Sequence, residues 1–172
     1  DYMMKGVEVW DESLRKYVPS NRKRFHDDYF SLLAQVEVGV TGKPWADDFF
    51  VTASYSKVDK ELQTGSVQTK VYGMAERNGS AYNVSARYRK KDFLLKGLQM
   101  HSFLSHTWDY SLTVDTAYRV YDWNGDYIES SRNEITGRER SLRHYKRPTT
   151  MFRSNWDYRI GPQHALNVNY LL

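Results

Sequence analysis

Between Tyr110 and Tyr121 the chain alternates in chemistry with a period of two. Tyr110, Leu112, Val114, Thr116, Tyr118 and Val120 form one set, and Ser111, Thr113, Asp115, Ala117 and Arg119 the other. Successive side chains of a strand point to opposite faces, whereas a helix returns to the same face only after about 3.6 residues, so this run specifies a strand with one apolar and one polar side. The pattern returns at 31–41, where Leu32, Ala34, Val36, Val38 and Val40 oppose Leu33, Gln35, Glu37 and Gly39. It returns again at 49–58, with Phe49, Val51, Ala53 and Tyr55 against Phe50, Thr52, Ser54 and Ser56. In 150–160, Phe152, Trp156, Tyr158 and Ile160 oppose Arg153, Asn155, Asp157 and Arg159, and Leu166, Val168 and Tyr170 mark a last strand over 164–172.

Less regular strands are expected at 67–73, 81–89 and 94–106, the last carrying Leu98, Met100 and Leu104 on one face. Asn78-Gly79 reads as the hairpin turn between the first two of these. The clearest strand then runs over 109–121. One helical turn is expected near the start, capped by Asp11, bearing Leu14, Tyr17 and Val18 and ended by Pro19.

Short connections at 42–47, 106–109 and 161–163 alternate with long polar loops at 1–30, 59–93 and 122–148. Membrane barrels are built this way, with short turns at the periplasmic end and long loops outside. Strands of this length also match the ~9–11 residues a tilted strand needs to cross a bilayer. Trp45, Phe49, Trp108, Tyr110, Trp156 and Tyr158 fall near the short connections, where one aromatic girdle is expected. The expected fold is therefore an all-β antiparallel up-and-down meander forming part of a transmembrane β-barrel wall, one partial barrel domain over 1–172. On that reading Val36, Val38, Leu112, Val114 and Tyr118 face lipid, and the odd-numbered positions of 110–121 face a wet lumen. Alternation alone also fits a soluble β-sandwich with the apolar set buried inward, and a complete small barrel serving as an anchor or membrane enzyme stays open.

Composition narrows the field. The chain is 40% hydrophobic and carries 14 Tyr and 5 Trp, residues suited to membrane interfaces. No run approaches the ~20 apolar residues of a membrane helix, which excludes helical membrane proteins but not barrels. The absence of cysteine excludes disulfide scaffolds and thiol catalysis. A net charge of +4, from 25 basic and 21 acidic residues, is too even to indicate a nucleic-acid partner. The first residues have no signal-peptide pattern, and the last read as a strand in progress, so a fragment is expected.

Several phrases, in order along the chain, carry a resemblance. They are Leu62-Gln63-Thr64-Gly65, Lys70-Val71-Tyr72-Gly73, Tyr88-Arg89-Lys90-Lys91-Asp92-Phe93, Tyr121-Asp122-Trp123-Asn124-Gly125, and the final stretch from Gly161-Pro162-Gln163 through Asn169-Tyr170. Together they resemble the mid-barrel of TonB-dependent outer-membrane receptors, most of all those of the Bacteroidetes type. The resemblance covers most of the chain. It implies a barrel of ~22 strands closed around a plug, of which this chain would supply about five or six strands. It also implies a bacterial outer-membrane location and uptake of a scarce small-molecule or oligomeric nutrient, with an iron chelate such as a siderophore or haem as the leaning. The implied partners are outer-membrane lipid and the TonB-ExbB-ExbD complex, the latter through a plug domain outside this chain.

No phosphate loop, nucleophile elbow or His-Glu-x-x-His pair occurs, and no catalytic residue, metal ligand or cofactor is assigned. His26 stands beside Asp27 and Asp28, for which a solvated loop end is the simpler reading. His101 and His106 are five apart on a strand and point to opposite faces. Tyr121, Trp123 and Tyr127 stand at a strand–loop junction, where they form an outer girdle or stack on a sugar or aromatic ligand. Arg138 and Arg140, within a loop also holding Arg132, Arg143, Lys146 and Arg147, are the candidate anion contacts. Glu129, Glu134 and Glu139 interleave with them, so a charged soluble loop competes with that role.

Overall fold

A computed structural model describes residues 2–172. It is all-β. In chain order the strands are β1 (Met3–Asp11), β2 (Lys16–Lys23), β3 (Tyr29–Lys43), β4 (Ala46–Glu61), β5 (Glu76–Lys90), β6 (Leu98–Asp115), β7 (Arg119–Tyr121), β8 (Tyr127–Glu129), β9 (Ser141–Arg159) and β10 (Ala165–Leu171). Six of them form one antiparallel meander in the order β10-β9-β6-β5-β4-β3, an open sheet with β10 and β3 as its edges. Two further hairpins, β1-β2 and β7-β8, form two-stranded sheets of their own. The chain divides into two compact units: Asp1–Ser31, Lys57–Gly79 and Ser111–Tyr145 form the first, and Leu32–Ser56, Ser80–Tyr110 and Lys146–Leu172 the second.

The second unit is sheet throughout, and its two faces differ. The β9–β10 register pairs Tyr158 with Leu166, Trp156 with Val168 and Ser154 with Tyr170 on one face, and Asp157 with Asn167 and Asn155 with Asn169 on the other. Hydrogen bonds join Asn167 to Asp157 and Asn155 to Asn169 along that polar face. The polar side continues across the sheet. Glu37 accepts from Thr52 Oγ1 at 2.9 Å and faces Arg87 at 3.6 Å, while Arg89 pairs with Asp48. Arg87 also lies 5.0 Å over the Phe50 ring. That ring rests on the backbone at Gly39, where a Cβ would come within 2.5 Å of it. Only glycine leaves room for this packing.

The apolar side carries aromatic pairs. Tyr55 and Tyr82 lie 4.9 Å apart between ring centroids, Trp45 and Phe49 5.6 Å, and Phe152 and Tyr170 6.0 Å. Near the short connections Phe93 bridges Tyr88 at 6.4 Å and Trp156 at 5.5 Å, and Tyr88 Oη donates to the Trp45 carbonyl at 2.6 Å. A set of aromatics therefore does border the turns, but Trp108 and Tyr110 are not in it; both lie within β6, and Phe93 and Tyr88 stand where they were expected.

The reason is a shifted turn. No reversal occurs at 106–109; β6 runs straight through it, since His106, Trp108 and Tyr110 continue the alternation of Leu104 with no Gly or Pro to break it. The chain reverses earlier, between β5 and β6. There Asp92 Oδ1 accepts from the Gly97 amide at 2.6 Å, and Asp92, Leu94 and Gly97 all adopt positive φ. Gly97, at φ 86°, takes the conformation that a Cβ would strain. The alternation of short and long connections survives, with its middle short turn at 91–97.

Three other local expectations differ from the fold. The helical turn at 11–19 is the tip of the β1–β2 hairpin instead. Val9 pairs with Val18 and Trp10 with Tyr17, and Asp11 Oδ1 accepts from Ser13 Oγ at 2.6 Å and the Leu14 amide at 3.0 Å. These bonds hold the Asp11 carboxyl below its usual pKa. Residues 67–73 make only isolated bridges, Thr64 with Val71 and Val71 with Tyr121. Asn78-Gly79 lies inside β5 rather than at a turn, because the segment 62–75 has already closed on itself through Leu62 N–Ala75 O and Tyr72 N–Gln63 O bonds of 2.9 and 2.8 Å.

The first unit has the conventional core. Met4, Val7, Val9, Val71 and Trp123 are buried together, with Tyr121 packed against them. Its largest fully buried polar side chain is partnered. Gln63 accepts from the Phe25 and His26 amides at 2.8 Å each and donates to the Tyr72 carbonyl at 3.1 Å.

Candidate ligand-binding groove

The phrase from Tyr121 to Tyr127 folds as the end of the β7–β8 hairpin. Arg119 pairs with Glu129, Val120 with Ile128 and Tyr121 with Tyr127. The loop is shaped by Asp122, whose Oδ1 accepts from the Asn124 and Asp126 amides at 2.8 and 3.0 Å, and by Gly125 at φ 90°. Trp123 turns inward and is buried, its indole donating to the Gln68 carbonyl at 3.1 Å. Tyr121 and Tyr127 lie 5.4 Å apart between ring centroids, their planes tilted by 46°.

These three aromatics line one groove of about 430 Å³ with Trp10 and Tyr17, which meet edge to face at 5.3 Å. Glu8, Asp122 and Asp126 are the charged residues of its lining. Arg119 lies 4.0 Å over the Tyr127 ring and donates to Tyr121 Oη at 3.4 Å, the bond that does most to raise its pKa. The expected aromatic trio is thus brought together. The contribution of β1 and β2 was not legible, because 1–30 read as a loop with a helical turn; the alternating Val7, Val9 and paired Trp10 and Tyr17 were the available signal.

Arg138 and Arg140 are not part of the groove lining. Arg140 stacks 4.8 Å over Tyr118, whose hydroxyl accepts from the Arg140 amide at 3.2 Å, and the Arg138 amide donates to Asn133 Oδ1 at 2.8 Å. They belong to a loop held by buried acids. Asp115 accepts from the Ile135 and Thr136 amides at 3.1 and 3.3 Å, and Glu134 accepts from Gly73 and Met74 at 3.2 and 3.1 Å. Burial raises the Glu134 pKa, against the lowering pull of those two amides. Thr113 and Asp115, placed by alternation on a wet face, are both buried, Asp115 against the loop backbone.

Val36 and Val38 are exposed in the middle of β3, and Leu112 and Val114 lie near the end of β6. Tyr118 lies outside any strand, against Arg140. His26 is buried, with Nε2 2.8 Å from the Ala75 carbonyl and Nδ1 3.3 Å from Glu61. No group of three or more His, Asp or Glu able to hold a metal occurs among the described residues. Comparison with protein-family models, with curated proteins and with solved structures finds no match for the chain.

Proposed function

We propose that the second unit is a stretch of outer-membrane β-barrel wall, and that the chain belongs to a TonB-dependent receptor importing a scarce nutrient without catalytic turnover. One observation carries the reading. Of the residues buried among those described, only Ala46 and Ser154 belong to the second unit. A sheet with an aromatic and aliphatic face and no core of its own lacks the apolar burial that drives folding in water. Lipid supplies that burial in a barrel, with the polar side turned to the lumen. A soluble sandwich would need a second sheet over the apolar side, and the second unit has one sheet alone.

Strand lengths support the same reading. β4 gives residues 46–56 and β5 residues 80–90 to this unit, close to the ~9–11 needed for a tilted crossing. The open edges at β3 and β10 would pair with neighbouring wall strands, since unpaired edges invite pairing. In this reading the partners are outer-membrane lipid and, through a plug, TonB-ExbB-ExbD. The three carboxylates of the groove weigh against a polyanionic iron chelate at that position. Labelling of single cysteines on intact cells tests the topology. Asn124→Cys and Arg138→Cys are expected to react with a membrane-impermeant maleimide, and Lys43→Cys and Gln163→Cys to remain protected. The reverse pattern would overturn the assignment.

A further inference from the structure

The groove between the β1–β2 and β7–β8 hairpins has a definite chemistry. Its walls are aromatic: Trp10, Tyr17, Tyr121, Trp123 and Tyr127. All its charged lining residues are carboxylates, Glu8, Asp122 and Asp126. Asp122 is committed to its own loop. The side-chain carboxylates of Glu8 and Asp126 have no hydrogen-bond or ion-pair partner among the described residues. The outer part of the groove is open, with Trp10, Tyr17 and Tyr127 each about half exposed. From these features we infer that the groove binds an organic cation, a ligand carrying an ammonium or guanidinium group on an apolar body.

Three considerations select this class. A ring face attracts a cation through its quadrupole, and the Tyr127 ring already holds the Arg119 guanidinium at 4.0 Å. Unpaired carboxylates accept hydrogen bonds and donate none, which matches a headgroup made only of donors. Carboxylate- and phosphate-bearing ligands meet like charge from three residues. A neutral sugar could stack on the rings but would gain nothing from the net negative charge. This inference rests on the importer reading for its biological sense, since it names the solute class, or the part of a solute, that the groove would take.

Titration calorimetry of the folded chain in neutral-detergent micelles tests it, with benzyltrimethylammonium, benzyl alcohol, benzoate and maltotriose as probes. The cation is expected to bind about tenfold more tightly than benzyl alcohol, and benzoate is expected not to bind. Higher salt should weaken the cation alone. Glu8→Gln combined with Asp126→Asn should remove most of the preference while leaving benzyl alcohol unchanged. Both side chains lack partners, so the fold should tolerate the change. Equal binding of cation and alcohol, binding of benzoate, tighter binding of maltotriose, or no binding of the cation would each overturn the inference. A chain that binds the cation but shows no lipid contact at Val36 keeps this inference and loses the barrel reading; the opposite result does the reverse.

Discussion

The two units solve the folding problem differently. The first buries Val7, Val9 and Trp123 and partners its buried Gln63, Asp115 and Glu134 with backbone amides. The second is a larger sheet that buries one alanine and one serine. Its side chains pair within the faces, aromatic with aromatic and charge with charge, but neither face has a core. The first unit carries its own reason to fold in water. On the proposed barrel-wall reading, the second turns its apolar face outward to lipid. Exposed valines therefore mean different things in the two regions, and single substitutions can separate those meanings.

The largest contrast is expected at Trp123. Trp123→Ala empties the centre of the first unit's core and should cost about 3–5 kcal/mol of that unit's unfolding free energy, followed by chemical denaturation. A loss below about 1 kcal/mol would mean that the cluster around it does not hold the unit together. Next in size is Val36→Arg in β3. Val36 is 60% exposed, and a water-facing position of that kind tolerates arginine within about 0.5 kcal/mol. A lipid-facing position near the bilayer midplane loses about 2–4 kcal/mol. The larger loss is expected in refolding from denaturant into lipid vesicles, and Gln35→Arg, on the opposite face, should cost much less.

A smaller effect separates the units by pH. Burial raises the folded-state pKa of Glu134 above its ordinary value of 4.5. For an acid this means that the folded form holds its proton more tightly than the unfolded form, so its contribution to stability falls as pH rises from 4.5 through the folded-state value. The first unit should gain stability from this group on acidification through that window, and Glu134→Gln should flatten the slope. A slope unchanged in the variant would remove Glu134 from the account.

Much of the sheet was legible because period-two alternation survives wherever one face must be apolar. The strands at 31–41 and 49–58 fall within β3 and β4, and those at 150–160 and 164–172 match the end of β9 and all of β10 to within one residue, each from that pattern alone. Failures came where punctuation misled. Asn78-Gly79 has turn chemistry but sits within β5, because Gln63 and its neighbours close the loop before it. His106 to Asp109 resembled a connection, yet the backbone there keeps its alternation, and Asp92 with Gly97 makes the real turn. The groove was half legible. Tyr121, Trp123 and Tyr127 stand in one short phrase, whereas Glu8, Trp10 and Tyr17 stand on a hairpin that meets it across more than a hundred residues of sequence, as Arg22 does Asn124.

The central claim is that the apolar face of the six-stranded sheet meets lipid. Adjacent positions of β3 test it most directly. Val36→Cys and Gln35→Cys, each carrying an environment-sensitive fluorophore, would be reconstituted in vesicles containing lipids brominated along the acyl chain. Strong quenching at 36 and little at 35 is the expected result. Equal quenching at both positions, quenching only at 35, or none at either would contradict the barrel-wall reading.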